Sequence, residues 1–498
     1  MAGKPAVFVL ILYDCAPRTV PVAFESQNSF SWCFVNDMNV SGSHLAASSA
    51  RPQLVADRAQ LSARSVPSVA QDRPGVLEVL AAMLLFVAVG IDYSTVLDYR
   101  VEPFGVPISA IDVLLFMLLL CGFLRSFRGT PHAHRIPRGV LIAAAALATV
   151  SIIGVIGGMK EDYALYDIVK DFRLALYLLL SFWLFTLIPL KQHLGLLTWV
   201  LIVGGVAVAI QVLAAFYQGY FVTGQLAAAR AVWIPAQILT FAIFLLMAKR
   251  YRATGFFRRS LLYACVLLFL MAMLLSLTRS IWIQLAMTTC FLGLVGRRLR
   301  RATLVVLALT VLTLSSVGLL AIVVEELPEE LRTRIEAFSS FLRGEERGSL
   351  YSRFDEASAG MHKFYHSPVL GRGFGTTIES YDQASRRLIV TTFMHNSAVF
   401  YLLKLGIVGA LAFFSFCALA LFRALRVPAD SELVTRARLL FSLLAGFMVT
   451  GNFSGNLNYA PFMILLGALF AQSVLLSLFI EGIGDRCAGL RPEGCCHP

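Results

Sequence analysis

The sequence is short of charge. Only 14% of its 498 residues are Asp, Glu, Lys or Arg, and 58% are hydrophobic. Soluble domains carry roughly 25% charged and 45–50% apolar residues. The deficit excludes an ordinary soluble domain. Apolar runs near the ~20 residues that span a bilayer recur along the chain, which reads as a polytopic membrane protein. The cysteine pattern of a stapled or zinc-bound fold is also missing. Nine cysteines are scattered and no CxxC pair occurs, so neither a disulfide framework nor a zinc site is indicated. The terminal run Cys495, Cys496, His497 reads as a tail, since structural zinc takes four well-placed ligands. The GRGFG stretch from Gly371 to Gly375 lacks the full GxGxxG spacing and has no βαβ unit around it. A dinucleotide loop is therefore excluded, and a sharp glycine turn after Pro368 is expected. The net charge of +12 does not point to nucleic acid. Most basic residues sit in short connections beside apolar runs, where they set membrane topology.

Residues 1–72 mix Ser, Ala, Arg, Val and Pro without period. Within them Ala6–Tyr13, with Lys4 ahead, weakly resembles a signal-peptide core but is too short to span. A disordered extension, or a start codon assigned too far upstream, is the expectation. Twelve spans follow, at approximately 75–91, 107–124, 139–157, 172–189, 194–217, 231–248, 260–277, 281–296, 302–324, 396–421, 438–454 and 459–480. Residues 73–324 thus hold spans one to nine, 325–394 form a long polar outer loop, 395–482 hold the last three spans, and 483–498 form a tail. Leu331–Phe341 and Ser352–Tyr365 have helical periodicity with mixed charge, so the loop should contain short helices. The expected fold is all-α: a polytopic membrane protein of about twelve transmembrane helices.

Lys and Arg in the short connections give the orientation. One alternate set holds Arg125, Arg128, Arg135, Arg138, Lys191, Lys249, Arg250, Arg252, Arg258, Arg259, Arg297, Arg298, Arg300, Arg301, Arg423, Arg426, Arg436 and Arg438. The other holds only Arg100, Lys160, Lys170, Arg173, Arg230 and Arg279. The richer set should be cytoplasmic. Both termini are then cytoplasmic and the long loop is outside.

Three chemistry-bearing residues collect on the outer side. Arg230 precedes a span, Arg279 lies in the SLTRS connection (Ser276 to Ser280), and His395 opens the span after the loop. An arginine at the hydrocarbon edge costs a few kcal/mol on insertion scales unless solvated or paired. Snorkelling to headgroups explains either arginine alone. Two of them with a histidine on one face suit an anionic phosphate substrate, which guanidinium binds bidentately. A histidine, with a reference side-chain pKa of about 6.5, suits a general base near neutral pH; a structural hydrogen-bonding role is the alternative for His395. Asn396 either orients a backbone or sugar hydroxyl or caps the helix. His362 and His366 have metal-binding i, i+4 spacing, but HKFYH lacks the internal Glu of a metalloprotease, and a solvated helix face is the plainer reading. Glu78, Asp112 and Lys404 are charges within spans. Lys404 lies about half a turn off the face of His395, so a structural ion pair is its expected role.

The order of these features resembles a known family. Arg230 comes ahead of a span, then the Ser-Leu-Thr-Arg-Ser turn, then a large outer loop carrying SPVLGRGFGT (Ser367–Thr376), then MHNSAVFYLLKLGIVGAL (Met394–Leu411). This resembles the O-antigen ligase and O-antigen polymerase superfamily of bacterial envelope enzymes. The resemblance implies an inner-membrane glycosyltransferase that works without a metal or other cofactor. It would take a glycan from undecaprenyl diphosphate on the periplasmic side, and the outer loop would be periplasmic. The acceptor would be a hydroxyl of lipid A-core in a ligase, or another repeat unit in a polymerase. Carried over by motif, Arg230 and Arg279 would hold the diphosphate and His395 would be the acceptor's general base. Arg372 and Asn396 would be further contacts to acceptor or glycan. The expected partners are therefore a lipid-linked donor, a glycan or lipid A-core acceptor and membrane lipid. A lipid-linked oligosaccharide transporter is the alternative class; it should show internal repeats or polar groups near mid-membrane, and no clear repeat is present.

Overall fold

Apolar runs bounded by proline, glycine and charge become helices at each of the twelve expected stretches. The computed structural model describes residues 76–90, 109–127, 136–219, 236–250, 255–276, 278–295, 303–312, 348–382, 387–426 and 432–489. All of them belong to one unit, Arg73–Pro498. The expected extension at 1–72 and the expected helix at Leu331–Phe341 lie outside the described residues. The helices are α1 (Val76–Gly90), α2 (Ala110–Phe127), α3 (Arg138–Lys160), α4 (Leu165–Thr186), α5 (Leu190–Tyr217), α6 (Ile238–Arg250), α7 (Phe256–Leu275), α8 (Arg279–Val295) and α9 (Thr303–Leu312). After them come α10 (Gly348–Tyr365), the strands β1 (Ile378–Asp382) and β2 (Arg387–Thr391), and α11 (Ser397–Arg423), α12 (Glu432–Ser454) and α13 (Ala460–Gly489). Five stretches are long and apolar enough to cross a membrane: Arg138–Lys160, Gln192–Tyr217, Phe256–Leu275, Ser397–Arg423 and Ala460–Phe479.

Two boundaries differ from expectation in ways that matter for the site. Helix α4 starts at Leu165, not near residue 172. Lys170 and Arg173 therefore stand on the helix and not in a connection. The outer loop is not purely helical either. Beyond α10, which covers the expected Ser352–Tyr365 helix, β1 and β2 pair antiparallel with Ile378 opposite Thr391 and Asp382 opposite Arg387. The hairpin escaped the sequence because β2 shows no alternation: Leu388, Ile389 and Val390 are consecutive and all exposed. At the other end of the chain, α13 continues through Gly489, so the expected tail begins as helix.

Helix α11 is broken. Gly406 has φ +67° and ψ −171°, outside any helix. In an unbroken helix the amides of Ile407 and Val408 would donate to the carbonyls of Leu403 and Lys404. Here Ile407 donates to Pro368 O at 2.9 Å and Val408 to Val369 O at 3.3 Å. In return Leu403 O accepts from Arg372 N at 2.9 Å and Lys404 O from Gly373 N at 3.0 Å. The loop from Pro368 to Gly373 thus stands in for one turn of helix. Non-helical backbone at membrane depth is tolerated where protein groups satisfy it in this way.

Such an insertion needs close backbone approach, and glycine permits it. A Cβ on Gly406 would lie 2.2 Å from Val369 O, and one on Gly373 would lie 2.2 Å from Gly158 N. Gly154 and Gly158 form a small-residue face on α3. Phe374, buried against it, donates its amide to Gly154 O at 2.9 Å. The next residue, Gly375, donates to Asp171 Oδ2 at 2.8 Å. Asp171 in turn pairs with Lys404 at 2.7 Å, and both side chains are buried. Lys404 Nζ also donates to Thr376 O. The structural ion pair expected for Lys404 is thus present. Leaving either charge alone in this interior would cost about 3–5 kcal/mol.

Gly406→Ala should destabilise the protein by about 1–3 kcal/mol or more, from the positive φ alone. Gly139→Ala, with open space around the new methyl, serves as the control. Thermal unfolding in detergent should show a lower midpoint for the first variant only. Equal midpoints would mean that the loop does not lock the break.

Candidate functional site

His395 sits at the mouth of α11, and the adjoining residue explains why the helix begins there. Asn396 is the N-cap: its Oδ1 accepts from Val399 N at 3.1 Å. Ser397 Oγ donates to Gly451 O at 2.9 Å, and Asn458 Nδ2 donates to Met394 O at 2.6 Å. The His395 backbone is thereby tied to the turn between α12 and α13. Phe393 meets the imidazole edge-on, with centroids 5.1 Å apart.

The imidazole is oriented by Glu356 of α10. His395 Nδ1 lies 2.8 Å from Glu356 Oε2, and the same oxygen accepts from the His395 backbone N–H at 3.2 Å. A carboxylate accepts, so Nδ1 carries the proton. Nε2 is left as the free base, turned away from the protein partner. The Glu356 side chain is 8% exposed and that of His395 38%. A buried carboxylate behind an accessible imidazole is the orienter–base arrangement of nucleophile-activating sites. Glu356 did not stand out in the sequence. A signal was present, however. Glu356, Gly360 and Phe364 recur every four residues on one buried face of α10, and a carboxylate in such a stripe is out of place. Gly360 is there because a Cβ would lie 2.4 Å from Met394 Cε.

Arg279 opens α8, following the turn at Ser276. Its backbone is described and its side chain is not. Two contacts give its depth. The ideal Cβ of Gly446 comes within 2.3 Å of Thr288 Oγ1, and the rings of Phe291 and Phe441 are 6.3 Å apart. Rising numbers in α8 meet falling numbers in α12, so the two helices are antiparallel. Nine residues back from Thr288 is Arg279, about 13 Å along the axis at ~1.5 Å per residue. Nine residues on from Gly446 is Gly455, whose Cβ would lie 3.2 Å from His395 Cα. Arg279 therefore enters α8 at the level of His395. Arg230 lies outside the described residues. Arg372 pairs with Glu161 at 3.5 Å and is 31% exposed.

A cavity of ≈330 Å³ lies beside the His395 segment. Tyr166, Lys170 and Arg173 of α4 line it, with Thr392, Phe393 and Asn458 opposite. Three of its lining residues are joined by Asp112, which accepts from Ser109 N at 2.7 Å and Ser109 Oγ at 2.8 Å, takes the Tyr177 hydroxyl, and faces Arg173 Nε at 3.6 Å. Together with the Asp112 N–H on Ser109 Oγ at 3.4 Å, this is a capping box at the start of α2.

Residues 263–414 match the family model described as O-antigen ligase, Wzy_C. The resemblance to the O-antigen ligase and polymerase superfamily therefore holds over that stretch. It indicates a glycan-processing membrane enzyme of the ligase or polymerase type. Arg279, Glu356, Arg372 and His395 fall inside the match; Arg230 and Lys170 fall outside it. No curated protein matches the chain. His362 on α10 and His366 just past its end are both exposed, as a solvated face would be. Among the described residues no cluster of three or more His, Cys, Asp or Glu could hold a metal ion.

Selective ¹⁵N labelling of histidine should report the Nδ1–H tautomer for the His395 ring, assigned by its loss in His395→Ala. Glu356→Ala should shift that ring to a tautomer mixture. A wild-type ring protonated on Nε2 would contradict the orientation given to it here.

Proposed function

We propose that this chain is an inner-membrane glycosyltransferase of the O-antigen ligase type. It moves a glycan from undecaprenyl diphosphate to a sugar hydroxyl on the periplasmic face, with both termini in the cytoplasm. The observation that carries the reading is the Glu356–His395 pair, 2.8 Å apart at the level where Arg279 enters the bundle. It lies within the stretch that matches the family.

The chemistry follows from those groups. The acceptor oxygen attacks the anomeric carbon as the bond to diphosphate breaks. His395 Nε2 takes the hydroxyl proton, a contribution of about 10²–10⁴-fold. Glu356 holds the tautomer and offsets the positive charge gained by the ring. Negative charge growing on the leaving diphosphate is met by Arg279 and Arg230, whose planar guanidinium groups suit phosphate oxygens. No step calls on a metal. The undecaprenyl chain remains in lipid because the site lies at the membrane edge. Of the two further candidates, Arg372 retains surface to offer a glycan, while Asn396 is committed to its cap.

A polymerase uses the same geometry with another repeat unit as acceptor, and a deletion strain separates the two. Glycan absent from lipid A-core, with lipid-linked polymer accumulating, marks the ligase. A single repeat on core marks a polymerase. Unchanged lipopolysaccharide with lost exopolysaccharide marks an exopolysaccharide polymerase. Complementation with His395→Ala should leave the deletion phenotype in place at normal protein levels. Glu356→Gln should restore the wild-type pattern only partly, with transfer about tenfold slower, part of the 10²–10⁴-fold that positioned proton transfer contributes. Full complementation by His395→Ala would remove the base assignment.

A further inference from the structure

Residues 392–396 link β2 to α11 as irregular backbone. Such a stretch has no ladder or helix to pair its polar groups, so other groups must supply the partners. Phe393 N–H donates to Thr391 Oγ1 at 3.0 Å, and His395 N–H donates to Glu356 Oε2 at 3.2 Å. The Met394 carbonyl, one peptide ahead of His395, accepts from Asn458 Nδ2 at 2.6 Å. Two side chains from two different elements therefore grip the base. Glu356 holds the imidazole and the backbone N–H of His395, and Asn458 holds the carbonyl before it.

Asn458 comes from the turn between α12 and α13, and that turn is itself fixed. Asn458 N–H donates to Gly455 O at 2.9 Å across the 3₁₀ turn Asn456–Asn458, and Gly455 N–H donates to Gly451 O at 3.1 Å. Leu457 is fully buried, and its carbonyl accepts from the Tyr401 hydroxyl of α11 at 3.3 Å. Gly455, at φ +69°, lets the chain come close. A Cβ there would lie 2.7 Å from Phe393 Cζ, 2.9 Å from Met394 O and 3.2 Å from His395 Cα. The His395 backbone thus rests on bare backbone and one amide side chain. An amide is what the place requires, because a carboxylate of the same size would set an acceptor against the Met394 carbonyl.

We propose that Asn458 is a positioning residue of the transfer reaction. Glu356 sets the rotation and tautomer of the imidazole. Asn458, with Gly455 beside it, sets where the His395 Cα stands. Nε2 meets the acceptor hydroxyl only when both are right, since a misplacement of about 1 Å can cost about a hundredfold in rate. That consequence for rate rests on the transferase reading; the placing of His395 by Asn458 does not.

The test uses the purified full chain in detergent with a lipid-linked glycan and acceptor. Asn458→Ala removes the donor, and Asn458→Asp removes it at constant volume, which covers a failure of the smaller side chain to fold. Each should lower kcat by about ten- to a hundredfold with KM for donor and acceptor unchanged, the mark of an interaction that counts only in the transition state. Asn452→Ala removes an amide that bonds Met448 O at 3.1 Å within α12, and should leave kcat unchanged. In spectra of ¹⁵N-labelled histidine, the His395 ring should keep its Nδ1–H tautomer in both Asn458 variants but move from its wild-type shifts. The proposal falls if kcat is retained, if KM rises while kcat holds, or if Asn452→Ala loses as much. It also falls if neither Asn458 variant folds, or if the His395 signals of a folded one superimpose on the wild-type signals. Wild-type protein that transfers no glycan would sink the transferase reading alone, and the histidine spectra would still decide the placing of His395.

Discussion

Four backbone hydrogen bonds at Gly406 hold the His395 end of this protein together. The break in α11 frees two amides and two carbonyls in a region without water, where each unsatisfied group costs several kcal/mol. The loop after α10 supplies partners for all four. This exchange fixes where α10 lies, because the chain from Pro368 to Gly373 cannot leave α11. With α10 fixed, Glu356 is fixed, and with Glu356 the ring of His395. A backbone repair about eleven residues along α11, roughly 16 Å at ~1.5 Å per residue, thus sets the geometry of the base.

The same insertion explains a group of charges that would otherwise be puzzling in a membrane. Lys404 precedes the break and turns its ammonium onto Asp171 and Thr376 O. Asp171 also receives the amide of Gly375. The buried pair therefore joins α11, α4 and the glycine loop at one point, and each charge carries a further hydrogen bond besides the one between them. That satisfies the condition under which a buried ion pair is sustainable. Lys170, next to Asp171 on α4, bonds Thr392 Oγ1 and lines the cavity. Thus, among the described residues, α4 offers one cation hydrogen-bonded to the Thr392 hydroxyl and one carboxylate held by two donors, Gly375 N and Lys404 Nζ.

Five long apolar helices were legible because hydrocarbon thickness imposes length, and length is written in the sequence. The SLTRS turn, the glycine turn after Pro368 and the helix at Ser352–Tyr365 were legible for similar local reasons. The break at Gly406 was not. LKLGIVG reads as continuous helix, since glycine is common in membrane helices. Its partner loop lies more than thirty residues upstream, and nothing local names it. The ion-pair role of Lys404 could be expected from its burial, but its partner Asp171, 233 residues away, could not. Glu356 was hidden because a carboxylate beside Asp355 on a charged amphipathic helix looks solvated until the helix's neighbour is known. Lys170 and Arg173 were counted as loop charges because the apolar run of α4 starts after its helix does.

The family match and the His395–Glu356 geometry converge on proton removal from a sugar hydroxyl beside a diphosphate leaving group. The measurement closest to that claim is release of undecaprenyl diphosphate by purified protein given a lipid-linked glycan and acceptor in detergent. The account predicts acceptor-dependent release by the wild-type protein, and its loss in His395→Ala at unchanged thermal stability. Undiminished release by that variant, or none from folded wild-type protein, would contradict it.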